Sequence, residues 1–159
     1  MTSDELRNYA TVLAALVALL VFAHNSVSMA RNQRIENLAR FNQAHKRLFA
    51  VGSFIAKNII EIEAGTLKRD PDNPQMNASF HLMLLEIERL AILANNKAVP
   101  RHTQVYMLGA YAGTLLNVTT SAERESMFWE LALGYLQGLM TDTERYQQLS
   151  RSEREKFWH

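Results

Sequence analysis

The longest run of uncharged residues lies near the N-terminus. Residues 8–30 carry no formal charge and are bounded by Arg7 and Arg31. As a helix, these 23 residues would extend about 35 Å, enough to cross the roughly 30 Å hydrocarbon core of a bilayer. The pattern therefore predicts a transmembrane anchor over residues 1–30 and a separate domain over residues 31–159.

The short apolar portion of this segment leaves two alternatives open. Residues 9–23, its most hydrophobic part, also have the length of a signal-peptide core or of a buried helix in a soluble domain. Residues 28–30 (SMA) would then serve as a cleavage site. However, Asp4 and Glu5 precede the apolar part, whereas a signal peptide begins with basic residues. We therefore favour the membrane helix.

Charges on the two sides of the anchor differ. Residues 31–47 contain five basic residues and a single acid, Glu36. Because basic flanks stay in the cytoplasm, the chain is expected in the inner membrane, with its N-terminus outside and residues 31–159 inside. Anionic lipid headgroups are the expected contacts of four basic side chains. These are Arg31, Arg34, Lys46 and Arg47.

Small residues recur along one face of the predicted anchor. Ala10, Ala14 and Ala18 are spaced four residues apart and therefore share a helical face. A ridge of this kind lets membrane helices approach closely. It indicates self-association, so a homo-oligomer is expected.

Apolar positions continue the helical pattern beyond the anchor. They recur mostly at steps of three and four residues, and no proline occurs before Pro71. We expect one or two long helices that end at Gly65, with a bend at Gly52 and Ser53. The positions that recur as on one helical face are Ile35, Leu38, Phe41, Leu48, Phe54, Ile55, Ile59 and Ile62.

Two further helices are predicted after a polar loop over residues 66–75. The third covers residues 77–94, and the fourth begins near Pro100, a residue suited to a first turn. Gly109 and Gly113 lie four residues apart on the fourth helix, which predicts close packing against a neighbouring helix. The core face of the third helix comprises Phe80, Leu84, Ile87, Ala91 and Ala94.

Helix starts are marked by a Ser or Thr three residues before a Glu, the capping-box pattern. The composition agrees, since the chain has only 6 Gly and 3 Pro. The predicted fold is all-α, with a single N-terminal transmembrane helix that continues into a cytoplasmic helical bundle. The four matches are Thr2 with Glu5, Thr120 with Glu123, Thr141 with Glu144, and Ser150 with Glu153.

Composition excludes several functional classes. The chain has no cysteine, which excludes disulfides, thiolate catalysis and cysteine-based zinc sites. Its net charge of +1 gives no general reason to expect nucleic acid as a partner. Because histidine spacing fits no metal site and no Gly-rich phosphate motif occurs, neither a metal nor a cofactor is expected.

Two pairs of residues match a catalytic pattern. Arg40 with His45, and also Arg154 with His159, fit the R-x4–6-H motif of the HEPN ribonucleases, in which histidine exchanges a proton and arginine holds a phosphate. So short a motif arises readily by chance in a chain with several arginines and histidines. A basic helix face attracted to anionic lipid is the favoured interpretation, and Arg40 and His45 are weak catalytic candidates.

Residues 82–117 resemble the core of a family of small bacterial membrane proteins of unknown function, the DUF4760 type. They combine a hydrophobic helix bearing a Glu, a small polar turn and a second helix. The matching positions are Leu84, Leu85, Glu88, Ile92, Asn96 and Val99.

The plan of the chain is also similar to that of the HEPN-like membrane accessory proteins of type VI-B CRISPR systems. That resemblance implies assembly into rings and depolarisation of the inner membrane during antiviral defence. Here Arg40 and His45 lie close to the membrane helix, whereas HEPN catalytic motifs usually lie on a later helix. This departure puts ribonuclease activity in doubt.

Three functional hypotheses follow. The first is a non-enzymatic oligomer that gates or perturbs the inner membrane, with itself, lipids and a protein of a defence system as partners. The second is a membrane-tethered HEPN-like ribonuclease, and the third is a non-catalytic scaffold subunit of a membrane complex. Candidate contacts of a scaffold, of which the first three are expected to pack in the core, are Met127, Phe128, Trp129, Phe157 and Trp158.

Overall fold

The computed structural model describes residues 3–97 and 99–156. Within these ranges every regular element is helical and no strand occurs, which confirms the predicted all-α fold. Contacts group the chain into two compact units, Met1–Glu36 and Asn37–His159. The domain boundary predicted from the sequence lies slightly earlier, after residue 30.

The first helix, α1 (Ser3–Leu48), is 46 residues long. It ends in a turn where Gly52 has a φ of +95°, a conformation that residues with a Cβ rarely adopt. Ser53 then caps the next helix: its Oγ accepts a hydrogen bond from the Ala56 N–H and donates one to the Leu48 carbonyl. The predicted bend at Gly52 and Ser53 is therefore confirmed as a break between two helices.

The later helices pack around a central one. They are α2 (Phe54–Glu63), α3 (Pro74–Asn95), α4 (Arg101–Gln104), α5 (Ala110–Asn117), α6 (Ser121–Glu125), α7 (Glu130–Gln147) and α8 (Arg151–Glu155), with a π-helical turn (Val105–Gly109) between α4 and α5. Helix α7 contacts α3, α5, α6 and the π-helical turn, while α2 packs on α3 and α5. The predicted fourth helix is therefore α4, the π-helical turn and α5 in succession.

The core lies within the second unit. The predicted face of α3 is confirmed, because Phe80, Leu84 and Ile87 are fully buried. Among the described side chains of α1, those in its last two turns enter this core through Phe41, Ala44 and Leu48, which are spaced three and four residues apart. These positions join α1 to the hydrophobic core of the later helices.

Ile35 and Leu38 continue the apolar periodicity of α1 but are not buried. Their side chains are 59% and 43% exposed. The periodicity of apolar residues continues through α1, but the first buried residue among its described side chains is Phe41. Periodicity identifies a helix face, whereas burial also requires another element opposite that face.

Two predicted helix starts also differ from the structure. Helix α3 begins at Pro74, three residues early, because Asn73 Oδ1 accepts hydrogen bonds from two N–H groups of the first turn. No helix begins at Thr141, which lies inside α7 and donates its hydroxyl to the Gln137 carbonyl. The spacing of Thr141 and Glu144 mimics a capping box, but the residues before it continue the helix.

Two of the predicted capping boxes are confirmed. Thr120 and Ser150 each accept a hydrogen bond from the N–H of the Glu three residues later, and that Glu side chain accepts one from the cap backbone. They begin α6 and α8. Thr2, the cap of the fourth match, lies outside the described residues.

The apolar residues before α7 do not behave as expected. Met127 and Phe128 are 78% and 76% exposed, so the prediction that they pack in the core is wrong. They lie in the turn between α6 and α7, where the chain runs over the surface. Trp129 is half-buried against the core, while Phe157 and Trp158 lie outside the described residues.

The glycines of the fourth predicted helix face α7. A Cβ built on Gly109 would overlap Thr143 Oγ1, whereas one on Gly113 would lie at an ordinary 3.7 Å from Met140 Sδ. Close packing therefore requires glycine at position 109 and not at position 113.

Replacing Gly109 with alanine is expected to lower the free energy of unfolding by about 1–3 kcal/mol through this overlap. Gly134→Ala on α7 is the matched control, because no heavy atom lies within 4 Å of its Cβ and alanine favours the helix by about 0.5–1 kcal/mol. Thermal unfolding of the full chain in detergent, followed by circular dichroism, compares the two. A shift of the unfolding temperature in the same direction in both variants would contradict a steric role for Gly109.

Candidate functional site

The outer surface of α1 is apolar. Among the described residues, α1 is the one helix long and apolar enough to cross a membrane by length and composition. Its large apolar side chains between residues 12 and 29 are each more than half exposed. They are Val12, Leu13, Leu16, Val17, Leu19, Leu20, Val21, Phe22, Val27 and Met29.

The predicted ridge of small residues lies on this surface. Ala14 and Ala18 are exposed and one helical turn apart on α1. Ala10 also belongs to α1, but its side chain lies outside the described part of the chain. Two small, exposed side chains on one face leave room for another helix to approach.

Four basic residues were predicted to contact lipid headgroups. Arg31, Arg34 and Lys46 are exposed on α1. Arg47 is partly engaged, since its Nη1 donates to Glu86 Oε1 at 3.4 Å and its side chain is 47% exposed. An exposed ion pair of this length contributes little stability, so Arg47 keeps much of its capacity for another anion.

Arg40 and His45 point in different directions. They are five residues apart on α1, a step that rotates about 140° around the helix axis. His45 donates from Nε2 to the Met107 carbonyl at 3.3 Å and lies 4.7 Å from the Phe49 ring. Arg40 lines a surface cavity with Arg47. The structure does not bring the two together, and the ribonuclease hypothesis stays a prediction without geometric support.

The most elaborate polar cluster lies elsewhere and surrounds Arg69. The Arg69 side chain is only 2% exposed. Its Nη1 and Nη2 donate to the two carboxylate oxygens of Glu123 at 2.7 and 2.6 Å, and further bonds reach Asn77 Oδ1 at 2.5 Å and the Val118 carbonyl at 3.0 Å. The guanidinium carbon lies 3.7 Å from the centroid of the Phe80 ring. Arg69 thus ties the loop before α3 to α3 and α6.

Glu123 has two roles in this cluster. It is the third residue of α6 and completes the capping box with Thr120. Burial alone would raise the pKa of Glu123, but hydrogen bonds from Arg69, Thr120 and His81 outweigh it and lower the pKa to about 2. The carboxylate is therefore ionised at neutral pH and pairs with the arginine.

His81 closes the cluster on its outer side. Its Nε2 lies 2.8 Å from Glu123 Oε1, and because a carboxylate only accepts, Nε2 carries the proton in this contact. The ring stacks on Trp129 with centroids 5.1 Å apart, and its side chain is 36% exposed. Both oxygens of Glu123 are occupied and Arg69 is buried, so the cluster is a structural ion pair that joins the loop before α3 to α3 and α6.

The buried ion pair of Arg69 and Glu123 predicts a specific pH dependence of the free energy of unfolding. Folding lowers the pKa of Glu123 from 4.5 to about 2, so its contribution to stability is complete above pH 4.5 and is lost as the pH falls toward 2. In Glu123→Gln this contribution is absent. Urea unfolding between pH 2 and 6 should therefore show a shallower loss of stability in the variant, and equal slopes would contradict the assignment.

From the sequence, Glu123 and Thr120 of this cluster were predicted only as a helix cap and Phe80 only as part of a helix face. Arg69 lies in a stretch that its polarity marks as a surface loop, and His81 stands alone in the sequence. The partners are up to 54 residues apart, and no local pattern links them. A buried arginine in a polar loop has no signature in a single sequence.

Metal chemistry finds no support in the described ranges. No group of three or more His, Asp and Glu side chains there could hold a metal ion.

No family model, curated protein or solved structure matches this chain. The resemblances to the DUF4760 type and to the HEPN-like membrane proteins therefore stay predictions.

Proposed function

We propose that this chain is a single-pass membrane protein in which α1 anchors the helical unit Asn37–His159 to a bilayer. One observation carries the proposal: the large apolar side chains of residues 12–22 lie on every side of α1 and are each more than half exposed. A helix that is apolar all round is favourable in lipid and unfavourable in water. The uncharged length of residues 8–30 matches a hydrocarbon core.

The proposed orientation places the helical unit in the cytoplasm, below the inner membrane. Its support is the distribution of charge, because the basic residues after the uncharged stretch outnumber the acids there. Exposed Arg31 and Arg34 are the first cations after that stretch and would meet the headgroups.

The anchored protein is proposed to self-associate through α1 and thereby to gate or perturb the membrane. Ala14 and Ala18 support the association, since small side chains let two membrane helices approach closely. The resemblance to HEPN-like membrane accessory proteins supports a role in antiviral defence.

Oligomeric state in mild detergent tests this part of the proposal. The wild-type protein should run as an oligomer, and Ala14→Leu combined with Ala18→Leu should weaken association about tenfold, which corresponds to roughly 1.4 kcal/mol. Ala15→Leu is the control, because it makes one of the same substitutions on a face about 100° away. A wild-type protein that is strictly monomeric would rule out self-association.

A scaffold function is the second candidate, and the surface before α7 favours it. Met127 and Phe128 are large, apolar and more than three-quarters exposed on a turn of the second unit. Adjacent exposed apolar residues of this size are typical of a protein contact. A stoichiometric partner should then co-purify with the wild type and be lost from Met127→Ser with Phe128→Ser. Retention of the partner by that variant would exclude this surface.

A further inference from the structure

Helix α3 carries a second apolar face that lies outside the core. Leu82, Leu85 and Ile92 are 64%, 41% and 50% exposed, whereas Phe80 and Ile87 on the other side of the helix are fully buried. A helix on a protein surface normally has one apolar stripe and a polar opposite side. Several large apolar side chains exposed on one face are typical of a contact with another chain. The outer face of α3 therefore has the character of an interface.

The residues of this outer face are spaced as in a coiled coil. Leu82, Leu85, Arg89 and Ile92 follow one another at steps of three, four and three residues. Steps that alternate in this way place the side chains along one line, where they fit between the side chains of a second helix with the same spacing. A polar residue in such a line lowers stability but fixes the alignment and the number of helices. Arg89 occupies that position, and a second copy of α3 supplies the matching helix.

Charged residues border the outer face along both edges. On one side, the arginine edge, Arg47 and Arg89 both donate to Glu86 Oε1, so two cations share one acid. Glu88 lies on the opposite edge, because a step of two residues rotates about 200° around the helix axis. It is half-buried and makes no hydrogen bond or ion pair with the described residues. The arginine edge therefore has a surplus cation, and the described residues supply no partner for the acid on the other edge.

A two-fold axis parallel to α3 brings these opposite charges together. Rotation about this axis places the Glu88 edge of each copy against the arginine edge of the other, and each apolar position against itself. A two-fold axis that crosses α3 at a right angle would instead place acid against acid. The outer face is therefore complementary in charge to itself, and only in the parallel arrangement.

The last turns of α1 agree with this axis. They run beside α3 in the opposite direction, since Arg40 lines a cavity with Leu93, whereas Leu48 lines a second cavity with Leu82. A two-fold axis parallel to α3 also follows the end of α1, so the ends of both α1 helices point the same way. Two chains anchored in one bilayer require that arrangement.

We propose that the outer face of α3 is a dimer interface in which two copies of this chain pack in parallel. Leu82, Leu85 and Ile92 contact the same residues of the second copy, and Glu88 of each copy pairs with the arginine edge of the other. Only three large apolar side chains per copy meet, so confinement of both copies to one bilayer is needed to raise their effective concentration. The interface thus rests on the proposed anchoring by α1, but not on association through the alanines of α1.

Disulfide formation in membranes tests this interface, because the natural chain has no cysteine. Leu85→Cys faces its own copy across the two-fold axis, so oxidation of the membrane pellet with copper phenanthroline should convert most of this variant to a covalent dimer. Ile60→Cys is the matched control, since Ile60 is an apolar residue of α2 that is 76% exposed outside this face, and it should stay monomeric.

Several results would overturn the proposal. They are equal dimer formation by Leu85→Cys and Ile60→Cys, failure of Leu85→Cys to form a dimer, and its linkage to a different protein. Absence of the chain from the membrane pellet would refute the anchor and the interface together. Ala18→Cys reports on α1 separately: a dimer of Leu85→Cys without one of Ala18→Cys would support the α3 interface and contradict association through α1.

Charge reversal tests the parallel arrangement. Glu88→Arg should lower the dimer yield of Leu85→Cys about tenfold, because cations then face each other. Adding Arg89→Glu should restore the yield, since the two edges again carry opposite charges. Glu125→Arg is the matched control, because it reverses an exposed acid of α6 and should leave the yield unchanged. An unchanged yield in Glu88→Arg, or no recovery on adding Arg89→Glu, would overturn the parallel pairing.

Discussion

Replacing Arg69 with methionine is expected to lower the free energy of unfolding by about 3–5 kcal/mol. The substitution keeps much of the side-chain volume but removes four hydrogen bonds, two of them to Glu123. Glu123, whose side chain is 9% exposed, would then remain ionised without its main partner. Urea unfolding of the full chain in detergent at pH 7 measures the loss.

Two further variants separate the ion pair from general packing. Arg89→Met removes an arginine that is 55% exposed and bonded to Glu86, and it should cost less than about 1 kcal/mol. Arg69→Met combined with Glu123→Leu should recover part of the loss, because no unpaired charge is then buried. If the double variant lost more free energy of unfolding than the two single variants together, the unpaired carboxylate would not be the cause.

Introducing arginine at Leu16 and Leu20 is expected to release the protein from membranes. The two residues lie one turn apart in the uncharged stretch of α1 and are 53% and 70% exposed. Each arginine near the middle of a membrane helix costs roughly 2.5–3.5 kcal/mol, so the pair costs about 5–7 kcal/mol. The fraction of protein that stays in the membrane pellet after alkaline extraction measures the effect.

Leu38→Arg is the matched control for this experiment. It makes the same chemical change on an exposed leucine of α1, but beyond the uncharged stretch. It should leave the extracted fraction as in the wild type. An equal release by Leu38→Arg would indicate that disruption of α1 in general, and not its insertion in lipid, determines membrane association.

Local sequence signals predicted the helices well, because helix formation depends on neighbours three or four residues away. The turn at Gly52 and the caps at Thr120 and Ser150 followed from a few adjacent residues. The capping pattern at Thr141 failed for the same reason, since four residues reveal nothing about the helix already running before them.

Burial was harder to predict, because it depends on which elements meet. Ile35 and Leu38 continue the apolar periodicity of α1 and are nonetheless exposed, and Met127 and Phe128 are apolar residues on a surface turn. The contact of Arg69 with Glu123 joins residues 54 positions apart. Only the packing of α3, α6 and the loop before α3 brings these two charges together.

The candidate sites show the same division. The apolar stretch of α1 is continuous in sequence, and reading it required no tertiary information. The cluster around Arg69 combines residues of α3, α6 and the loop before α3, so no local pattern marks it.

Labelling of single cysteines tests the membrane anchor and its orientation most directly. The natural chain has no cysteine, so Ser3→Cys and Ser152→Cys each introduce one thiol on opposite sides of residues 8–30. In spheroplasts treated with a maleimide that cannot cross the inner membrane, Ser3→Cys should label at once. Ser152→Cys should label only after the membrane is permeabilised. Equal labelling of both thiols before permeabilisation would contradict a helix that crosses the membrane.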